Sequence, residues 1–93
     1  MNLTKEQIQA LEDFAYNLIP IPIIAAMMEE DELELREAIG DYGSEARRAY
    51  YRGYGRMLME TRKGIIRSAQ NGSNPAQVEL LQFIREFEND MKL

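Results

Sequence analysis

Cysteine, histidine and tryptophan are all missing from this 93-residue chain. Without thiols there is no disulfide framework and no thiolate nucleophile. Without imidazole the chain has no His-based acid–base catalysis and none of the usual zinc sites. The remaining motifs contain no nucleophile–base pair and no metal constellation. A non-enzyme is therefore expected, with no catalytic residue and no cofactor. Long apolar runs are also missing: residues 19–28 are the longest, two prolines interrupt them, and a bilayer span needs ~20 residues. The opening "MNLTKEQ" has no cationic segment leading into an apolar stretch, so no signal peptide is expected there. A soluble, cytoplasmic protein without membrane contact is the expectation. No internal repeat, low-complexity tract or convincing strand is visible.

What is present is helix periodicity and unevenly distributed charge. The net charge is −5. Residues 1–44 hold two basic and ten acidic side chains, residues 45–70 seven basic and two acidic, and residues 71–93 two basic and four acidic. An acidic front, a basic middle and a mildly acidic tail suit either binding of an anion by the middle or head-to-middle self-association.

Length and pattern predict one all-α domain over residues 1–93, a small bundle of about five helices. Thr4 with Gln7 forms a capping box for the first helix, whose apolar positions are Ile8, Leu11, Phe14, Ala15 and Leu18. That helix ends near residues 17–19, because residues preceding Pro20 and Pro22 avoid the helical region. A short helix over 22–29 follows, with Pro22 in its first turn. The turn "EED" then leads to a third helix over 32–39, capped by Asp31, with Leu33, Leu35 and Ile39 as its apolar residues. The fourth helix covers 45–70. Tyr50, Tyr54, Met57, Leu58, Thr61, Ile65 and Ala69 share one arc of it, with Ala46, Ala49, Gly53 and Gly64 on a flank. Glycine inside a helix costs about 1 kcal/mol relative to alanine, and close approach of a neighbouring helix is the expected reason for Gly53 and Gly64. Gly55 lies elsewhere on the wheel and loosens or bends the helix. "NGSNPAQ" is a helix-to-helix junction, with Gly72 at the left-handed position, Asn74 as N-cap, Pro75 first in the helix and Gln77 as box partner. The fifth helix, over 75–91, is expected to bury Leu80, Phe83, Ile84, Phe87 and Met91. Val78 and Leu81 extend its apolar surface beyond what helix four alone covers. The fourth and fifth helices together make an αα-hairpin over 45–91.

Four features have a functional reading and a plainer one. The acidic group Glu29, Glu30, Asp31, Glu32 and Glu34 reads as a cation site or, more simply, as a solvated turn and helix N-terminus where the dipole favours negative charge. "RGYGR" at 52–56 has two glycines of a dinucleotide fingerprint but no third and no preceding strand, so helix packing is the better account. Arg48, Arg52, Arg56, Lys63 and Arg67 line the face of helix four opposite its apolar arc, flanked by Arg47, Arg62 and Tyr51. That stripe either tracks a phosphate backbone or is a solvated face paired with acidic neighbours. Of the tyrosines able to stack on bases, Tyr50 and Tyr54 fall on the buried arc and only Tyr51 on the outside.

The stretch "IIAAMMEEDELELREAI" at 23–39 fits the apolar frame of a helix-turn-helix pair over 19–39. Ile24 and Ala25 lie in its first helix, Met28 ends that helix, and Leu35 and Ile39 anchor the second. A recognition helix reads base edges from its exposed positions. Here those are Glu32, Glu34 and Glu37, which duplex DNA repels, with Arg36 the only cation.

Followed by "EARRAYYRGYGRMLMETRKGIIRSAQNGS" and "NPAQVELLQFI", this pair resembles the small terminase and DNA-packaging proteins of tailed phages and prophages. In those proteins a helix-turn-helix precedes an "AYxxGxxxxxxxxRxxIxxxAxxG" helix, an "NG/GS" turn and a helix starting "PAQ". The matching positions are Ala49, Tyr50, Gly53, Arg62, Ile65, Ala69, Gly72, Ala76 and Gln77, and the likeness spans 19–88. It implies a DNA-binding, homo-oligomeric adaptor that presents double-stranded viral DNA to a separate large terminase ATPase–nuclease subunit. Under that reading Arg48, Arg52, Arg56, Lys63 and Arg67 contact phosphates and Arg36 is a secondary contact. The alternative is a helical interaction or oligomerisation module without nucleic-acid binding.

Overall fold

A computed structural model describes residues 1–91. The described residues form five α-helices and no strand: α1 (Lys5–Tyr16), α2 (Ile21–Met28), α3 (Glu32–Gly40), α4 (Glu45–Gln70) and α5 (Asn74–Asp90). The fold class is all-α, as the periodicity predicts. None of these helices is long and apolar enough to cross a membrane. The chain divides into two compact units, Met1–Leu58 and Met59–Leu93.

In the first unit the expected capping box is complete. Thr4 Oγ1 accepts from the Gln7 N–H (3.1 Å), and Gln7 Oε1 accepts from the Thr4 N–H (2.8 Å). Asp31 caps α3 by accepting from the Glu34 N–H at 3.0 Å. Ser44 Oγ accepts from the Arg47 N–H and donates to the Ala38 carbonyl, so one hydroxyl starts α4 and ties it to α3. α2 begins one residue earlier than expected, at Ile21, which makes Pro22 its second residue. The first-turn N–H groups have no intrahelical partner, so either place suits proline.

The core of this unit is Leu11, Ile24, Ala25, Leu35, Ile39 and Ala46, with Leu3, Phe14, Ile19, Ile21, Met28, Ala38 and Tyr50 packed around it. The four residues expected to anchor the α2–α3 pair (Ile24, Ala25, Leu35 and Ile39) are all in it. Leu33 and Leu18 are not. Leu33 is 70% exposed, because it lies on the opposite side of α3 from the buried Leu35 and Ile39. Leu18 lies past the end of α1 in a left-handed conformation (φ 60°), which turns its side chain outward.

The buried side of α4 in this unit is the small-residue flank, not the tyrosine arc. Ala46, Ala49 and Gly53 are buried, whereas Tyr54 is exposed and Tyr50 only partly covered. The reason is at Gly53. A Cβ there would overlap the Glu12 carbonyl oxygen and come within 2.9 Å of its carbon and 3.1 Å of the Tyr16 amide nitrogen. α1 and α4 therefore touch at backbone distance.

In the second unit α5 runs antiparallel to the end of α4, since Gln77 bonds Ala69 and Arg62 meets both Phe83 and Glu86. Gly72 takes the expected left-handed position (φ 95°), with the Ser73 N–H donating to the Ser68 carbonyl and the Gly72 N–H to that of Ala69. Several expectations are corrected, Pro75 among them, which is the second residue of α5 and not the first. Ser73, not Asn74, caps α5, because the helix begins at Asn74 and the Ser73 hydroxyl reaches the Ala76 N–H. Gln77 reaches back to the Ala69 carbonyl at 3.2 Å instead of closing a box. A Cβ added to Gly64 would have no neighbour within 4 Å, so no close helix approach explains this glycine; the same holds for Gly55.

The largest departure is α5 itself, none of whose residues is buried. Leu80 and Phe83 are half-buried, but Ile84, Phe87 and Met91, all expected inside, are exposed together with Val78 and Leu81. A single short helical segment opposite cannot cover an apolar surface this wide.

Candidate nucleic-acid interface

The cations of the stripe fall into both units, and their surroundings differ. In the first unit Arg48 donates from Nη1 to the Gly43 carbonyl at 2.6 Å and has no carboxylate partner among the described residues. Arg52 and Arg56 share one carboxylate. Arg52 Nε donates to Glu12 Oε1 at 2.7 Å, and Arg56 Nη2 lies 3.5 Å from Glu12 Oε2. The Arg56 guanidinium also lies over the Tyr16 ring, 4.9 Å from its centroid. Both arginine side chains remain about half exposed, at 53% and 52%. Two cations and one anion leave this group with a net charge of +1.

Beside it, Arg47 is held between two aromatic rings, 4.3 Å from the Tyr42 centroid and 4.8 Å from that of Tyr51, and donates to the Ile39 carbonyl. Arginine stacked on tyrosine keeps its charge while covering an apolar face. Here it also satisfies a carbonyl at the C-terminal end of α3.

In the second unit Lys63 and Arg67 are exposed and form no ion pair among the described residues. Arg62 is engaged, with Nη2 at 2.9 Å from Glu86 Oε2 and its guanidinium over the Phe83 ring.

Arg36, the one cation of the helix-turn-helix-like pair, is bound to Glu32 one turn earlier at 3.0 Å. Glu32, Glu34 and Glu37 are all exposed, so the solvent side of α3 is negative. The rest of the acidic group has local duties: Asp31 caps α3 and Glu30 accepts from Gln7 Nε2 at 2.9 Å.

Glu12, Tyr16 and Tyr42 are the members of this region that sequence reasoning did not single out. Glu12 carries a partial signal: on the wheel it sits between Ile8 and Tyr16, at the edge of the apolar arc, and a carboxylate needs a cation when buried. Tyr42 carries none, since a tyrosine in a "GDYGS" turn gives no hint of which guanidinium lies under it. The chain matches no protein-family model and no curated protein, and its fold matches no solved structure.

Proposed function

We propose that this chain is a non-enzymatic adaptor of the phage or prophage DNA-packaging type, similar to small terminase subunits, acting as a homo-oligomer that holds double-stranded DNA. Its partners are then duplex DNA, further copies of itself and a large terminase ATPase–nuclease subunit. The observation that carries the oligomeric part is the uncovered apolar row of α5, with Phe87 68% and Met91 65% exposed. Solvent-facing apolar rows of this kind mark association surfaces. The DNA part is supported by Arg48, Lys63 and Arg67, which have no carboxylate partner among the described residues, and by the net positive Arg52–Glu12–Arg56 group. The negative α3 does not suit base reading, so DNA contacts on this reading come from the stripe alone, and contacts limited to phosphates position a protein without conferring sequence preference.

A second reading is favoured by Glu12 and by α3. With two of the five stripe cations already neutralised in part, the chain would be a self-associating helical module with no affinity for nucleic acid.

Light scattering with and without a short duplex, at two salt concentrations, separates them. The adaptor gains the mass of DNA at low salt and loses it as salt rises, with a log–log slope of about −0.9 for each phosphate met. An oligomer that ignores DNA even at low salt leaves only the second reading.

A further inference from the structure

Glu12 is the one charged side chain buried among the described residues, at 9% exposure. It sits where α1 and α4 are closest, since its own carbonyl faces the bare Cα of Gly53. Its carboxylate oxygens each meet a different arginine of α4, one helical turn apart. Arg52 engages it through Nε, which leaves the terminal amino groups of that guanidinium outside the bond. Arg56 engages it through Nη2 and is steadied further by the Tyr16 ring.

From this arrangement we infer that Glu12 is a positioning residue that holds Arg52 and Arg56 as a preformed clamp for one phosphate group of the DNA backbone. The inference rests on the adaptor reading above. Side chains one turn apart on a helix have Cβ atoms ~5–6 Å from each other, near enough for two guanidinium forks to reach one phosphate. Arginines ordered before binding lose less rotamer freedom when the phosphate arrives. Against this stands repulsion between Glu12 and the incoming phosphate. That repulsion is outweighed, because the carboxylate lies behind two cations and the group as a whole is positive.

The test is duplex binding by the full-length chain, followed by fluorescence anisotropy, for wild type, Glu12→Gln and Arg52→Lys. Glu12→Gln removes a negative charge, so a carboxylate acting only as a competitor predicts tighter binding. A positioning carboxylate predicts the opposite, a loss of roughly 2- to 12-fold, the equivalent of one rotamer-rich side chain left to be ordered on binding. Arg52→Lys keeps the charge and the fold while removing the fork, and weakens binding to a similar extent. The Arg52 Nε–Hε resonance, read by NMR in the free protein, is protected from exchange in wild type and loses that protection in Glu12→Gln. Unchanged or tighter DNA binding by Glu12→Gln, or wild-type affinity in Arg52→Lys, overturns the clamp while leaving the adaptor reading standing. Absence of duplex binding by wild type overturns the adaptor reading and the clamp with it.

Discussion

At Gly53 a single hydrogen atom sets how near two helices come. Any larger side chain meets the backbone of α1 at Glu12, which has no rotamer to move aside. Gly53→Ala is therefore expected to lower stability by at least ~2 kcal/mol, in the upper part of the range for overpacked sites, and to disturb the Glu12–Arg52 contact beside it. Gly64→Ala is the matched control. Nothing lies within 4 Å of the added methyl, so it should raise stability by roughly 0.5–1 kcal/mol through helix propensity alone. Urea unfolding of the two variants checks both signs; two changes of the same sign would remove the close-packing account. The two glycines read alike in sequence, each on the same flank of the fourth helix. Only the partner opposite distinguishes them.

The helix ends are where this chain follows its local signals most closely, with two exceptions of conformation, at Glu29 and Leu18. α2 closes by paired bonds from the Glu29 N–H to the Ala26 carbonyl and from the Glu30 N–H to that of Ala25. This requires a left-handed residue between helix and turn, and Glu29 fills the place at φ 57°. A left-handed residue with a Cβ costs roughly 1–2 kcal/mol, and a carboxylate at a helix C-terminus opposes the dipole. Glu29→Gly removes both penalties and should raise stability by about 1 kcal/mol. For a domain of this size that is a rise of ~4–8 °C in Tm, measurable by circular dichroism. A fall in Tm would show that the Glu29 side chain contributes more than its backbone costs. The same closing geometry at Leu18, with φ 60° and bonds to Ala15 and Phe14, explains how a leucine expected inside comes to lie outside.

For the whole molecule the α5 row is decisive. Val78, Leu81, Ile84, Phe87 and Met91 face solvent in the isolated chain, so substituting one of them should hardly affect folding while weakening the proposed self-association. Phe87→Ser is expected to keep the helix content and Tm of wild type. It should weaken association by roughly ten- to a hundred-fold, the effect of withdrawing one buried aromatic side chain. Sedimentation or light scattering over a concentration series measures this. A Phe87→Ser protein that associates as wild type does would place the interface elsewhere. A marked fall in Tm would mean instead that Phe87 supports the fold of its own chain.

Helix positions, caps and the α2–α3 core were legible in the sequence because they depend on neighbours within one or two turns. Thr4 with Gln7, Asp31, Gly72, and the spacing of Ile24, Ala25, Leu35 and Ile39 all act over that range. The tertiary structure alone decided which side of α4 meets α1, that Glu12 binds two arginines of the stripe, and that α5 leaves Ile84, Phe87 and Met91 uncovered as well as Val78 and Leu81. Each of these depends on which surface lies opposite, some forty residues away for Glu12 and Arg52. A helical wheel shows which residues share a side; it does not show what that side faces.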